Sequence, residues 1–183
     1  MLRISVRQAR LVGLACAISL GAVAGPAAGD ARATPTLTLT PRGIGHLHVG
    51  MTLRDARRAS GRRIRLSGAE ITPGCRYASV PRLRVSLMLL GGRIARIEIN
   101  RNSPVRMLGG IRRGDTEDDV RAAFGPRVVA TPHAYVVGHY LTIGWRTGPY
   151  TNRGIRFETN EAGTITAAYA GRRDAIRFIE GCL

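Results

Sequence analysis

Between Leu47 and Gly61 the apolar and polar positions fall in a definite order. An apolar residue is followed by a turn at Gly50 and a polar cap at Thr52. Leu53, Ala56, Ala59 and Ser60 then recur at helical spacing until Gly61 stops the run. The same order returns from Ile111 to Gly125. Without gaps, Gly50 aligns with Gly114, Thr52 with Thr116, Asp55 with Asp119, Ala59 with Ala123 and Gly61 with Gly125. Thr52 with Asp55 three residues on has the form of a capping box. In the second copy Asp115 or Thr116 caps, and Glu117, Asp118 and Asp119 load the first turn with negative charge, where the helix dipole favours it. Val120, Ala123 and Phe124 are expected to face a core before Gly125-Pro126 ends the helix.

Each helix is followed by period-two runs that predict strands. Arg82 to Leu90 and Arg93 to Asn100 flank Gly91-Gly92, a two-residue hairpin signal. In the second run Ala95, Ile97 and Ile99 alternate with Arg96, Glu98 and Asn100, which predicts one dry and one wet face. His139 to Arg146 reads as a strand. Gly154 to Thr159 and Thr164 to Ala170 flank a turn at Asn160 to Gly163, with Ile155 and Phe157 expected to meet Ile165, Ala167 and Tyr169. Thr36 to Thr40 alternates as a short lead-in strand, and Arg173 to Cys182 suggests a short helix carrying Ile176 and Ile179. The fold class is therefore α+β, with two tandem repeats, each a short helix packed on an antiparallel sheet or hairpin. The expected boundaries are a lead-in over 25–42, a first repeat over 43–105 and a second over 106–183.

The first residues belong to none of this. Arg3, Arg7 and Arg10 precede an apolar run from Leu11 to Ala24 and then an Ala/Gly/Pro-rich exit. That is the layout of a secretory signal peptide over 1–24. The apolar run falls short of the roughly 20 residues a membrane span needs. Cleavage after Ala24 is favoured over the small-residue sites at Ala28 and Ala33. Cys16 lies within the signal, with Gly13 where a lipid-attachment motif has Leu, so lipidation is the lesser reading. Export to the periplasm or outside the cell leaves Cys75 and Cys182, an even pair in an oxidising compartment, read as a disulfide staple from the first repeat to the C-terminus.

The formal net charge of the 183-residue chain is +16, and all 28 basic residues are Arg. A GC-rich coding sequence accounts for Arg over Lys. The absence of Lys excludes Schiff-base and P-loop chemistry. The densest basic cluster, Arg57, Arg58, Arg62, Arg63 and Arg65, is a candidate contact for an anionic lipid, a polysaccharide or an acidic protein, against the plainer reading of a solvated face. Nucleic acid is disfavoured, because no aromatic residues are interleaved with the arginines.

The spacing Gly114-x-Thr116-x-x-x-Val120-x-x-x-x-Gly125-Pro126, followed by Tyr135, Tyr140, Phe157 and Gly163-x-Ile165, resembles the SmpA/OmlA (BamE-like) repeat of small bacterial envelope lipoproteins. Two such units in tandem are similar to the β-lactamase inhibitor proteins. That resemblance implies helices packed on a sheet whose open face grips a partner protein. The chain departs from those inhibitors in having its cysteine pair span the repeats.

The candidate chemistry is thin. His46 and His48 share a strand face at i and i+2, but a third metal ligand would have to come from His133 or His139, far along the chain. No nucleophile motif and no acid–base carboxylate pair stands out. The expected function is an exported, non-catalytic binding or scaffold module of the cell envelope, without metal or cofactor. Its partner would be a protein or an anionic envelope component, with peripheral membrane contact open to it. The alternative is a soluble inhibitor of a secreted hydrolase; an enzyme built from scattered residues comes third. Binding candidates are the five arginines and the aromatic residues Tyr135, Tyr140 and Trp145, with Tyr150 and Tyr169 as further inhibitor anchors. Burial of those aromatics would count against the inhibitor.

Overall fold

A computed structural model describes residues 37–70 and 72–182. The expected signal over 1–24, with Cys16, lies outside them. The described residues belong to one compact unit of mixed helix and sheet, strands predominating. In chain order the strands are β1 (Thr38–Thr40), β2 (Gly43–Ile44), β3 (Leu47–His48), β4 (Arg65–Ser67), β5 (Cys75–Val80), β6 (Val85–Leu90), β7 (Arg93–Ile99), β8 (Arg106–Met107), β9 (Val129–Pro132), β10 (His139–Trp145), β11 (Arg153–Thr159) and β12 (Ile165–Arg172). Helix α1 (Leu53–Ser60) lies between β3 and β4, and α2 (Glu117–Phe124) between β8 and β9.

Eight strands form one sheet in the order β4-β5-β6-β7-β12-β11-β10-β9, with every pair antiparallel. Two four-stranded meanders thus meet where β7 pairs with β12. A second sheet, β3-β2-β1-β8, is small, and its β1–β8 pairing is parallel. Through that pairing the lead-in strand buries Leu39 beside Met107, so it is part of the core.

Both helices begin as the local chemistry dictates. Thr52 and Thr116 are the N-caps, and each hydroxyl accepts from the backbone N–H of the Asp three residues on. Only α2 closes the full capping box, with the Asp119 carboxylate accepting the Thr116 N–H at 2.8 Å. Gly61 ends α1 in the left-handed region at φ 60°, where a side chain would be strained. The segment before each helix is stitched to the sheet in the same way. Gly50 donates to the Ile94 carbonyl and Ile94 to Met51; Gly114 donates to Ile165 and Ile165 to Asp115. Thr52 bridges Arg93, and Thr116 bridges Thr164.

The helices cover one face of the large sheet. Ala56, Val120 and Phe124 share a cluster with Leu87, Ile97, Leu141, Ile155 and Phe157, and the rings of Phe124 and Phe157 lie 6.3 Å apart. Ala123, expected to face this core, is exposed instead, as is Ala59, since the helices meet the sheet through Ala56, Val120 and Phe124. The Gly91-Gly92 hairpin forms as expected, with φ of 56° and 74° matching the twist of its strands.

Three expectations need correction. Ile155 and Phe157 lie opposite Ala170 and Ala168, whereas Ala167 and Tyr169 lie opposite Glu158 and Arg156 on the far face. A register shift at Glu158/Thr159 is the cause, since one residue of slip moves the following side chains to the other face. Arg96 is not on a wet face; it is only 4% exposed. The C-terminal segment is not a helix. It makes a single 3-10 turn, Ala175–Arg177, and then passes through a bend and a turn over the far face of the sheet to Cys182. Ile176 is buried, but Ile179 is 44% exposed.

A row of glycines gives this strap its seat. Gly144, Gly154 and Gly171 lie side by side on β10, β11 and β12. A Cβ at Gly154 would stand 2.5 Å from Cδ1 of Ile176 and 2.9 Å from the Ile143 carbonyl oxygen. Gly154→Ala is therefore expected to destabilise the protein by about 1–3 kcal/mol through overpacking. Thermal unfolding measures the loss, and faster proteolysis near Ile176 would show that the strap has lifted. Unchanged stability would mean that the strap does not depend on this seat.

The strap is fixed covalently. Cys75, at the start of β5, and Cys182 form a disulfide, as their even count implied, across a sequence separation of 107 residues.

Candidate functional site

The far face of the sheet carries a connected set of polar and aromatic side chains, built where β7, β12 and β11 lie side by side. On β7 the sequence Arg96-Ile97-Glu98 sends its two charged residues to this face, and on β11 Arg156-Phe157-Glu158 does the same. Tyr169 of β12 stands between them, opposite Glu98 on one side and Arg156 on the other.

The contacts run continuously. The Tyr77 hydroxyl donates to Glu98 at 2.7 Å, and Arg96 Nε donates to the same oxygen at 2.8 Å. Arg96 Nη2 reaches the Tyr77 hydroxyl at 3.0 Å, and its Nη1 donates to the strap carbonyls of Ala175 and Phe178 at 3.1 and 2.7 Å. The Arg96 guanidinium lies 4.4 Å from the centre of the Tyr169 ring, a cation–π contact. Tyr169 then donates to Glu158 at 2.8 Å, and His133 Nε2 approaches the other Glu158 oxygen at 3.4 Å. His133 stacks on Tyr140 at 4.4 Å between centroids, and Arg156 covers the Tyr140 ring while donating to Thr142.

Beside this network is an open groove of about 540 Å³, bounded by Tyr77, Glu98, Glu158, Tyr169 and, on the rim, Tyr135 and Ile179. The Tyr135 hydroxyl donates to Glu180 of the strap, which ties the β9–β10 loop to the C-terminal segment. Tyr135, Val136 and Val137 are 64%, 52% and 71% exposed, and Phe178 and Ile179 are also exposed. A polar, hydrogen-bonded floor is thus edged by apolar side chains from two segments.

The electrostatics keep the floor fixed. Burial, with the neighbouring Glu98 carboxylate, pushes the Tyr77 hydroxyl from its ordinary 10 up to about 12. Burial and Glu158 likewise push Tyr169 upward. Glu98 holds the Arg96 guanidinium above its ordinary value against the opposing effect of burial. Both phenols therefore stay protonated donors at neutral pH. A raised phenol keeps its proton in the folded state at a pH where the unfolded chain has lost it. Stability is accordingly expected to be intact below pH 10 and to fall as pH rises from 10 to about 12. Tyr77→Phe should flatten that fall, as read by unfolding and phenolate absorbance. An unchanged slope would remove Tyr77 from the effect.

The expected binding residues divide. Tyr135 is exposed at the groove. Tyr140 is only 4% exposed, held under Arg156 and against His133. Trp145 lies on the helix-covered face, half-buried against Tyr150 with Arg127 over its ring, because its parity on β10 is that of Leu141 and Ile143. Tyr169 is buried in the network. Arg57 is committed to the chain itself, donating twice to the Ile64 carbonyl. Arg58, Arg63 and Arg65 are exposed and Arg62 is half-buried. The histidines do not converge. His48 bonds the Gly45 carbonyl, His133 faces Glu158 and His139 faces Glu117, and no metal-binding group of three ligands forms among the described residues.

Comparison with protein-family models, with curated proteins and with solved structures finds no match to this chain.

Proposed function

We propose that the protein is an exported, non-catalytic binding module of the bacterial cell envelope that engages a protein partner through the groove on the far face of its large sheet. The observation that carries this reading is the pairing of a preorganised polar floor with an exposed apolar rim. Tyr135 on the β9–β10 loop and Ile179 on the strap, both exposed at the groove, supply apolar surface of the kind that anchors protein partners. Arg96, Glu98, Tyr169 and Glu158 are already fixed by one another, so binding need not order them. The same saturation supports a non-catalytic reading, since Glu98 and Glu158 each hold structural donors.

The module consists of two tandem units, each a capped helix followed by a four-stranded meander. Support comes from the matching stitches of Gly50 and Gly114 to Ile94 and Ile165, and from the matching bridges of the two cap threonines. The BamE-like resemblance is compatible with that arrangement. The signal-like start and the disulfide support residence in the periplasm or outside the cell. A soluble hydrolase inhibitor keeps one exposed aromatic anchor, Tyr135, because Tyr140 and Tyr169 belong to the floor.

Affinity capture from the native cell envelope tests the reading. A partner retained at high salt by the wild type and lost with Tyr135→Ala/Ile179→Ala is the expected result. Equal capture by wild type and variant would put the interface elsewhere.

A further inference from the structure

At the β4 edge of the large sheet is a second concavity, larger than the first at about 690 Å³ and unlike it in charge. Three separate segments form it. The end of α1 and its exit contribute Ser60, Arg62 and Arg63. The first residue of β4 contributes Arg65, and the turn after β5 contributes Pro81 and Arg82. Four arginines from these segments bound one groove, and no acidic residue lines it. None of the four guanidinium groups makes a hydrogen bond or ion pair with another described residue. Three arginines elsewhere, Arg96, Arg121 and Arg172, do meet a carboxylate.

The frame under these side chains is fixed. Arg57 clamps the exit loop through the Ile64 carbonyl, Ile64 is buried, and Ser60 Oγ accepts the Arg62 N–H at 3.3 Å. Arg65 is set by pairing with Ser79, next to the turn that carries Arg82. Like charges held around one concavity repel unless an anion fills it, and planar guanidinium forks match phosphate oxygens two at a time. The spacing in sequence foreshadowed Arg62, Arg63 and Arg65. It also included Arg57 and Arg58, which line no part of the groove, and it missed Arg82, which only the β4–β5 pairing brings alongside.

We propose that this groove is an anion-binding site for phosphate groups, two or more at once, separate from the sheet-face groove. The phosphates would come either from a soluble oligophosphate or from the headgroups of an anionic lipid surface. Calorimetric titration of the purified protein with inorganic tripolyphosphate, and co-sedimentation with phosphatidylglycerol vesicles against phosphatidylcholine ones, separate the two sources. Either probe is expected to bind, and Arg63→Ala/Arg82→Ala should weaken it by about tenfold or more, as the loss of charge-assisted hydrogen bonds implies. The control, Arg54→Ala/Arg58→Ala, removes two exposed α1 arginines that do not line the groove and should change binding little. Unchanged unfolding temperatures in both variants exclude misfolding, since none of the four side chains carries a structural bond. Tripolyphosphate binding with this pattern assigns a soluble ligand, and vesicle binding alone with this pattern assigns a membrane surface. Failure of both probes, or equal weakening in the two variants, would overturn the site.

Discussion

Arg96→Leu is expected to destabilise the protein by about 3–5 kcal/mol, the cost of breaking one side of a buried ion pair. The side chain is 4% exposed and donates to the Glu98 carboxylate, the Tyr77 hydroxyl and two strap carbonyls. Leucine fills much of the volume but leaves Glu98 without its cation and the carbonyls of Ala175 and Phe178 without donors. Arg96→Lys keeps the charge but cannot reach four acceptors from one planar group, so it should recover only part of the loss. Denaturant unfolding measures both. If Arg96→Leu unfolds within about 1 kcal/mol of wild type, the range of ordinary surface changes, the buried network does not hold the strap.

Removing the disulfide with Cys75→Ser/Cys182→Ser is expected to cost up to about 4–5 kcal/mol, because a cross-link closing so long a loop removes much of the unfolded chain's freedom. The effect on the groove is more specific. The strap carries Ile179 and Glu180 on the groove rim, and beyond the glycine seat, Arg96 and the Tyr135–Glu180 hydrogen bond, the disulfide is its anchor. The Arg96 and cysteine changes should therefore not be additive, with a coupling of about 0.5–3 kcal/mol in a double-mutant cycle. Strict additivity would show that each holds the structure without the other. Intact mass with and without reductant checks that the bridge is present in the protein purified from its native cells.

The chain announces those parts of the fold whose causes are local. Both helices, their threonine caps and their glycine stops are legible because capping and left-handed turns are decided within a few residues. So is the Gly91-Gly92 hairpin. Strands β4 and β9 are not legible. They are exposed edge strands with no dry face to alternate against, and their neighbours alone define them. The floor of the groove was hidden for a different reason. Arg96 and Arg156 alternate with isoleucine and phenylalanine like solvent-facing charges, and only the strap over Arg96 and the rings of Tyr140 and Tyr169 beside Arg156 turn them into buried groups. One signal was available: Arg-x-Glu occurs at Arg96 and again at Arg156, on the two strands that flank Tyr169. The aromatic residues do not form one exposed set, because the parity of Trp145, and the stacking of Tyr140 on His133, depend on pairings that local pattern does not contain.

The most direct measurement of the proposed role is site-specific photo-crosslinking in the native cells, with a photoreactive residue at Tyr135 on the groove rim and, separately, at Leu66 on the β4 edge. A discrete protein adduct is expected from position 135 that position 66 does not give, and it should disappear when Gly154→Ala displaces the strap. No adduct from position 135, or the same adduct from both positions, would contradict recognition through the sheet-face groove.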